Sequence, residues 1–308
     1  MLSDIWPPDT DGQKRNFYRS LSRVMLNLAR CPLQKIGSFT IHDTGEMSLS
    51  NRPLTARLPL FECEGIPTNI PRGRCYSATD SYIRGLLNCH DMKLKHQPNA
   101  VRDKYDAEGQ MAVLTIMRAL PSHFTLNDLQ NGPFCYIWTD PHASNIFVDE
   151  QYNITSLPDL EWFCALPIET LHPPFWLSGH AVDGLGGENR KCYDDMCMEF
   201  LEIFEREDSQ YSVLGSGFCT KVLRNALEKN THWFWASLNQ PRATYNLFLD
   251  HLQPLFAPEH LDEDESIRFQ HILAPYWIED ANRFIGQKLL DKEGYLNTLR
   301  SQYKDVGC

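Results

Sequence analysis

The sequence predicts an α+β fold with a helical majority. Three observations carry that expectation. Apolar residues recur at helical spacing toward both ends of the chain. A central block of short apolar runs is broken by turn residues. No internal repeat or low-complexity segment interrupts this pattern. A chain of 308 residues, 42% apolar and 22% charged, is long enough to bury a sizeable core. We read one domain over 1–308 in three stretches: helices with a hairpin and an irregular insert over 14–130, a strand-rich block over 131–165, and a helical region over 166–308.

Each element has its own signal. Phe17, Leu21, Val24, Met25 and Leu28 fall on one face of a helix over 14–30, which Pro32 stops. "KIGSFTIHDTGEMSLS", residues 35–50, reads as two short strands around a turn, and the proline-rich stretch 51–73 as an irregular connection. Ser77 followed by Asp80 resembles a capping box that opens a helix carrying Tyr82, Ile83, Leu86 and Leu87. A longer helix over 102–120 places Met111, Leu114, Met117 and Leu120 together. After the Asn131-Gly132 turn come strands Phe134–Trp138, Ile146–Val148 and Ile154–Leu157, the last two joined by a turn at Asp149–Tyr152. From Asp194 the chain reads helical, with further helices over 212–229, 241–255 and 265–305.

Composition excludes several classes of partner. The net charge is −11, and basic clusters are no larger than Lys93 with Lys95, so no nucleic-acid partner is expected. Apolar runs fall far short of the roughly 20 residues that a membrane span needs. The opening "MLSDIWPPDTDGQKRN" lacks the basic head and apolar core of a signal peptide. Ten cysteines show no Cys-x-x-Cys and no zinc spacing, and Cys135, Cys164 and Cys219 sit in apolar runs. Free thiols in a reducing, cytoplasmic setting are expected, with the Asn153-Ile-Thr155 sequon accidental.

The central block also carries chemistry. Asp140 lies just past a strand, and Asn145 opens the next one. If the strands on either side of Asp149–Tyr152 pair as a hairpin, Asp159 returns to the end where Asn145 lies. Two carboxylates and an amide carbonyl on one point suit a hard cation such as Mg²⁺. Phosphoryl-transfer sites use this order: a base, an Asn five residues on, and a second Asp beyond the hairpin. The competing reading makes all three ordinary turn formers at strand ends.

"TDPHASNIFVDEQYNITSLPDLEW", residues 139–162, resembles the catalytic segment of the aminoglycoside phosphotransferase-like family, in particular its fungal branch. The matching residues are Asp140, His142, Asn145, Ile146, Val148, Asp149, Asp159 and Glu161. "IGSFTI", "SNRPLT", "QPNAV", "IMRAL", "NGPF" and "LHPPFWL" are similar to blocks of that branch, so the resemblance covers roughly residues 14–205. It implies the C-terminal lobe of a protein-kinase-like fold, with Asp140 as catalytic base, Asn145 and Asp159 as metal ligands, Mg²⁺ and ATP as cofactors, and a small-molecule hydroxyl as acceptor. Three positions depart from the family. Trp138 stands where a His is frequent, Pro141 where Leu is usual, and Pro158 precedes Asp159 in place of Ile.

The family's nucleotide lobe has no counterpart in residues 1–139, which contain no Gly-x-Gly-x-x-Gly and no strand lysine in a suitable setting. The expected options are a fragment of a longer protein, a non-catalytic pseudokinase-like binding or scaffold protein, or a lobe supplied by another chain. An uncovered lobe face would then favour self-association or a partner chain. Other features have plainer readings. His172-Pro-Pro-Phe-Trp176 reads as a rigid surface turn rather than an acceptor pocket. Asp183, Asp194 and Asp195 suit contact with a cationic acceptor such as an amine, and a solvated loop and a helix N-terminus explain them equally. His-Trp-Phe-Trp-Ala-Ser-Leu at 232–238 reads as core packing, and His142 as a structural member of its loop.

Overall fold

The computed structural model describes residues 1–211 and 214–303. The parts of the expected helices at 212–213 and 304–305, and Cys308, lie outside the described residues. In chain order the elements are α1 (Asp11–Ala29), β1 (Ser38–Ile41), β2 (Met47–Asn51), α2 (Arg57–Cys63), α3 (Thr79–His96), α4 (Lys104–Met117), α5 (Pro121–Phe124), β3 (Phe134–Trp138), β4 (Phe147–Val148), β5 (Ile154–Ser156) and β6 (Phe163–Pro167). There follow α6 (Gly187–Tyr211), α7 (Phe218–Glu228), α8 (Thr231–Asn239), α9 (Thr244–Leu247), α10 (Gln253–Phe256), α11 (Glu263–Leu273) and α12 (Ala281–Tyr303). The fold is α+β and mostly helical. Among the described residues the strands form three two-stranded antiparallel sheets, β1–β2, β3–β6 and β4–β5. No helix among them is long and apolar enough to cross a membrane.

The chain packs as two compact units. One comprises Met1–Ala56, Ile70–Tyr82 and His123–Ala236; the other comprises Arg57–Asn69, Ile83–Ser122 and Ser237–Cys308.

In the first unit the β3–β6 ladder is central. Phe134 faces Pro167 at one end and Trp138 faces Phe163 at the other. Both strands are rich in aromatic and small apolar residues, and Phe134, Cys135, Cys164 and Ala165 are fully buried. The β1–β2 hairpin joins this ladder where Gly37 bridges Ala165. A Cβ on Gly37 would meet Asn51 O at 2.6 Å and Cys75 Sγ at 2.9 Å, so the close approach needs glycine. Helix α1 starts where the Thr10 side chain accepts from Gln13 N at 3.2 Å. Its buried stripe is Phe17, Tyr18, Leu21, Ser22, Leu26 and Ala29. This stripe is rotated from the expected face: Val24, Met25 and Leu28 are only half-buried. Ser22 tolerates burial because its hydroxyl donates to Tyr18 O at 2.7 Å.

Two local expectations need correction. The start of α3 shows no Ser77 cap; its first amides turn instead to a distant residue, Thr79 N donating to Gln130 O and Asp80 N to Gln130 Oε1. The stretch 51–73 is not wholly irregular, since α2 forms within it and buries Leu58 and Phe61.

In the second unit, α4 is capped by Asp103, which accepts from Asp106 N at 2.9 Å, and it buries Met111, Ala112 and Met117. Gly109 lets α9 and α11 approach it: a Cβ there would lie 2.6 Å from Tyr245 Cε2 and 2.8 Å from Gln270 Oε1. Lys288 on α12 is 2% exposed, and its ammonium donates to Gln97 O at 2.8 Å and Lys95 O at 3.3 Å. That closes the carbonyl end of α3, where a cation is favoured. The helix expected over 241–255 is divided by a π-helical turn at Phe248–Leu252. The one expected over 265–305 is broken at Ala274–Tyr276, where Pro275 cannot continue it.

Two buried titratable groups set opposite pH dependences. His90 lies 2.8 Å from Leu238 O through Nε2 and 3.3 Å from Thr244 Oγ1 through Nδ1, and burial pushes its imidazole down to about 4. The unfolded chain therefore takes up a proton before the folded one, and His90 removes stability as pH falls from about 6.5 toward 4. Glu169 accepts from Leu126 N at 2.6 Å while its Oε2 is buried without a partner, and burial pushes its carboxyl up to about 7. The folded chain keeps that proton longer, so Glu169 removes stability as pH rises from about 4.5 to 7. Denaturant titrations across this range are expected to show the alkaline loss flattened in Glu169→Gln and the acid loss flattened in His90→Gln. Unchanged slopes would contradict both burial arguments.

Candidate functional site

The site is built on two ladders in the first unit. β3 ends at Trp138, and Thr139 continues the pairing, since its N and its Oγ1 both donate to Trp162 O, at 3.0 and 2.7 Å. Asp140 is therefore delivered at the end of a fixed strand. The second ladder pairs Phe147 with Ser156 and Val148 with Ile154, so the expected β4–β5 hairpin forms. Its turn is held by Asp149, whose carboxylate accepts from Gln151 N, Asn153 N and the Asn153 side-chain amide, at 2.9–3.2 Å. These bonds hold the Asp149 carboxyl below its ordinary range. Asn145 precedes β4 and Asp159 follows β5, so both lie at the open end of the hairpin.

The loop between the ladders is short and internally tied. His142 N donates to Asp140 O at 2.8 Å, and Asn145 N to His142 O at 2.9 Å. The His142 ring caps the 3-10 turn Ala143–Asn145: Nδ1 accepts from Ser144 N at 3.3 Å and lies 2.7 Å from Ser144 Oγ. His142 thus serves the loop's structure, as the sequence reading expected. The Asn145 side-chain amide donates to Asp140 Oδ2 at 3.2 Å, which leaves Asn145 Oδ1 facing only the Ser144 hydroxyl at 3.5 Å. Asp140 and Asn145 are half-buried and in contact; Asp159 is exposed and its carboxylate bonds to neither. Asp159 sits in the left-handed region, φ 58° and ψ 52°. For a residue other than glycine that conformation costs about 1–2 kcal/mol, with Asp and Asn tolerating it best.

Of the three predicted side chains, two are in contact, and the third shares their end of the hairpin with a free carboxylate. Hard oxygen donors, one amide and one unpartnered carboxylate, fit a hard cation. Among the described residues no group of three or more His, Cys, Asp and Glu side chains gathers as a metal cluster, at this site or elsewhere. Comparison with protein-family models, with curated proteins and with solved structures finds no match.

The surroundings revise other expectations. Trp138, at the position where the resembled family favours His, stacks on Phe163 with centroids 5.6 Å apart, and its indole N–H is buried without a partner. The His172–Trp176 stretch is not a surface turn: Pro173 and Pro174 are buried, Tyr193 OH donates to Pro173 O at 2.9 Å, and Phe175 packs on Tyr193 and Trp233. Trp233, Phe234 and Trp235 are core residues, as expected. Asp194 and Asp195 lie well inside α6 rather than at its start, Asp194 pairing with Arg190 at 3.6 Å. Phe147 and Leu160, flanking the hairpin's open end, are 41% and 59% exposed.

Because residue 159 holds a left-handed backbone, Asp159→Gly is expected to be more stable than Asp159→Ala by about 1 kcal/mol in urea denaturation. Equal stability of the two variants would contradict the assigned conformation.

Proposed function

We propose that this chain is a phosphotransferase-like catalytic lobe whose site is Asp140, Asn145 and Asp159. The observation that carries the reading is the Asn145–Asp140 contact at the ends of two ladders, with the free, strained Asp159 at the same end. Backbone strain kept at a polar residue with no structural bond to make is more often found at functional sites than elsewhere. The likeness of residues 139–162 to the aminoglycoside phosphotransferase-like catalytic segment supports the same assignment, with a kinase-like lobe as the fold.

In this reading Asn145 Oδ1 and the Asp159 carboxylate are the groups that would hold Mg²⁺. When bound there, the ion neutralises charge on the phosphate oxygens of ATP. Asp140 orients the acceptor hydroxyl and takes its proton. The Asn145 amide on Asp140 Oδ2 fixes the carboxylate's rotation, leaving its other oxygen for the substrate. The Thr139 bonds to Trp162 O hold the backbone beneath it. Aligning the hydroxyl and accepting its proton are the parts of phosphoryl transfer that side chains perform, because the transfer itself is mostly positioning and charge stabilisation.

A second reading is favoured by the exposure of Asp159, Leu160 and Phe147: a non-catalytic binding or scaffold protein that keeps the lobe's shape and presents this rim to a partner or a second copy. Magnesium dependence separates the two. Calorimetry with Mg-ATP is expected to give binding of about millimolar strength or weaker. That binding should require the ion and weaken in Asp159→Ala. For any hydroxyl acceptor that supports turnover, Asp140→Asn should cut the rate by roughly 10²–10⁴-fold. Ion-independent binding, or full turnover in Asp140→Asn, would favour the scaffold reading. Binding of about micromolar strength would mean that residues outside this site grip the nucleotide.

A further inference from the structure

Asp140 is fixed from upstream by Thr139 and from downstream by His142 and Asn145, yet the residue between them has no amide hydrogen to offer. Pro141 can be held only through its carbonyl. The Trp176 indole N–H donates to that carbonyl. Trp176 is itself immobilised: Trp6 meets it edge-on with centroids 5.3 Å apart, and Phe17 packs on both, at 5.1 Å from Trp6 and 6.1 Å from Trp176. Trp6 also donates its indole N–H to Leu177 O at 3.2 Å. The same N-terminal segment reaches the far end of the loop, where Leu2 N donates to Ile146 O at 2.9 Å, and the hairpin, where Tyr152 OH donates to Ile5 O at 2.7 Å. Leu2 is fully buried in the core on which this loop rests.

We propose that Trp176 is a positioning residue for Asp140, acting through the Pro141 carbonyl, with Trp6 and Phe17 as the aromatic bearing that holds its ring. The inference rests on the phosphotransferase-like reading for its purpose, but not for its geometry. A loop with a proline next to its base has one fewer backbone donor to anchor it, and the indole N–H replaces the missing restraint from the carbonyl side. The ring stack supplies direction: three large rings in edge and tilted contact leave the donor one orientation.

The test uses the full chain and needs no substrate. Trp176→Phe keeps a smaller aromatic ring against Trp6 and Phe17 and removes the donor to Pro141. Trp6→Phe is the control: it removes the bond to Leu177 and leaves the donor to Pro141. Residue-resolved hydrogen exchange would be followed at the His142 and Asn145 amides, with the Asn145 side-chain amide resonances as a second signature of its contact with Asp140. Trp176→Phe is expected to speed exchange at both backbone amides by roughly fivefold or more, the scale that one net hydrogen bond supplies, and to shift the side-chain amide pair. Trp6→Phe should leave them within about twofold. Equal effects of the two variants would overturn the proposal, since a purely structural cluster would respond to either loss. If Trp176→Phe fails to fold, the unaltered protein still decides. Its Trp176 indole N–H must exchange together with the His142 and Asn145 amides, and independent exchange would overturn the assignment. None of these readings depends on metal or nucleotide, so they can succeed where the phosphotransferase-like reading fails, and the reverse.

Discussion

The structure of the site depends on the β3–β6 ladder. Phe134–Trp138 and Phe163–Pro167 are consecutive only in space: the chain leaves at Trp138, makes the loop and the β4–β5 hairpin, and returns at Phe163. Pairing Trp138 with Phe163 forces everything between to begin and end at one place. Asp140 near the exit and Asp159 near the return are thereby confined to the same end. The ladder can bear this because its central residues are buried on both faces and its backbone groups are paired. The Thr139 bonds to Trp162 O extend the constraint one step past the last pair, to the peptide that carries Asp140.

Around this ladder the molecule spends local stability where polar groups need orientation. Asp159 is held left-handed without a compensating bond, while at the hairpin's turn Asp149 accepts a set of bonds that make the turn stable. The two aspartates have the same chemistry and different roles. One saturates its acceptors within the turn; the other keeps them free. Asn145 divides its amide between the roles, with its nitrogen on Asp140 and its oxygen nearly unengaged. Trp6, Phe17 and Trp176 pack on one another beside the loop, and the Trp176 indole N–H donates to Pro141 O.

Much of this was legible in the sequence, for reasons tied to particular residues. Strand Phe134–Trp138 announced itself by composition and by the Asn131-Gly132 turn before it. The β4–β5 hairpin followed from two apolar runs around Asp149–Tyr152, and the spacing Asp140-x4-Asn145 was visible once those runs were placed. The missed features depend on distant residues. Gln130 capping α3 cannot be inferred from Ser77 and Asp80, since the acceptor comes from far along the chain. The rotated stripe of α1 reflects Ser22 satisfying its hydroxyl within the helix, which spacing of apolar residues cannot register. Trp6, a lone tryptophan before two prolines, has no periodicity in the sequence; its role comes from its meeting with Phe17 and Trp176. The π-helical turn at Phe248–Leu252 likewise has no local signature in an otherwise helical pattern.

The central claim is that Asn145 and Asp159 hold one cation beside Asp140. Titration with Mn²⁺, a paramagnetic stand-in for Mg²⁺, tests it without substrate or turnover. In amide-resolved spectra the account predicts that broadening appears first at Asn145, its side-chain amide and Asp159, and that this focus disappears in Asp159→Ala. Broadening that begins elsewhere, for example along the acidic α6 surface near Glu188, Asp195 and Glu199, and that is unchanged in Asp159→Ala, would contradict it.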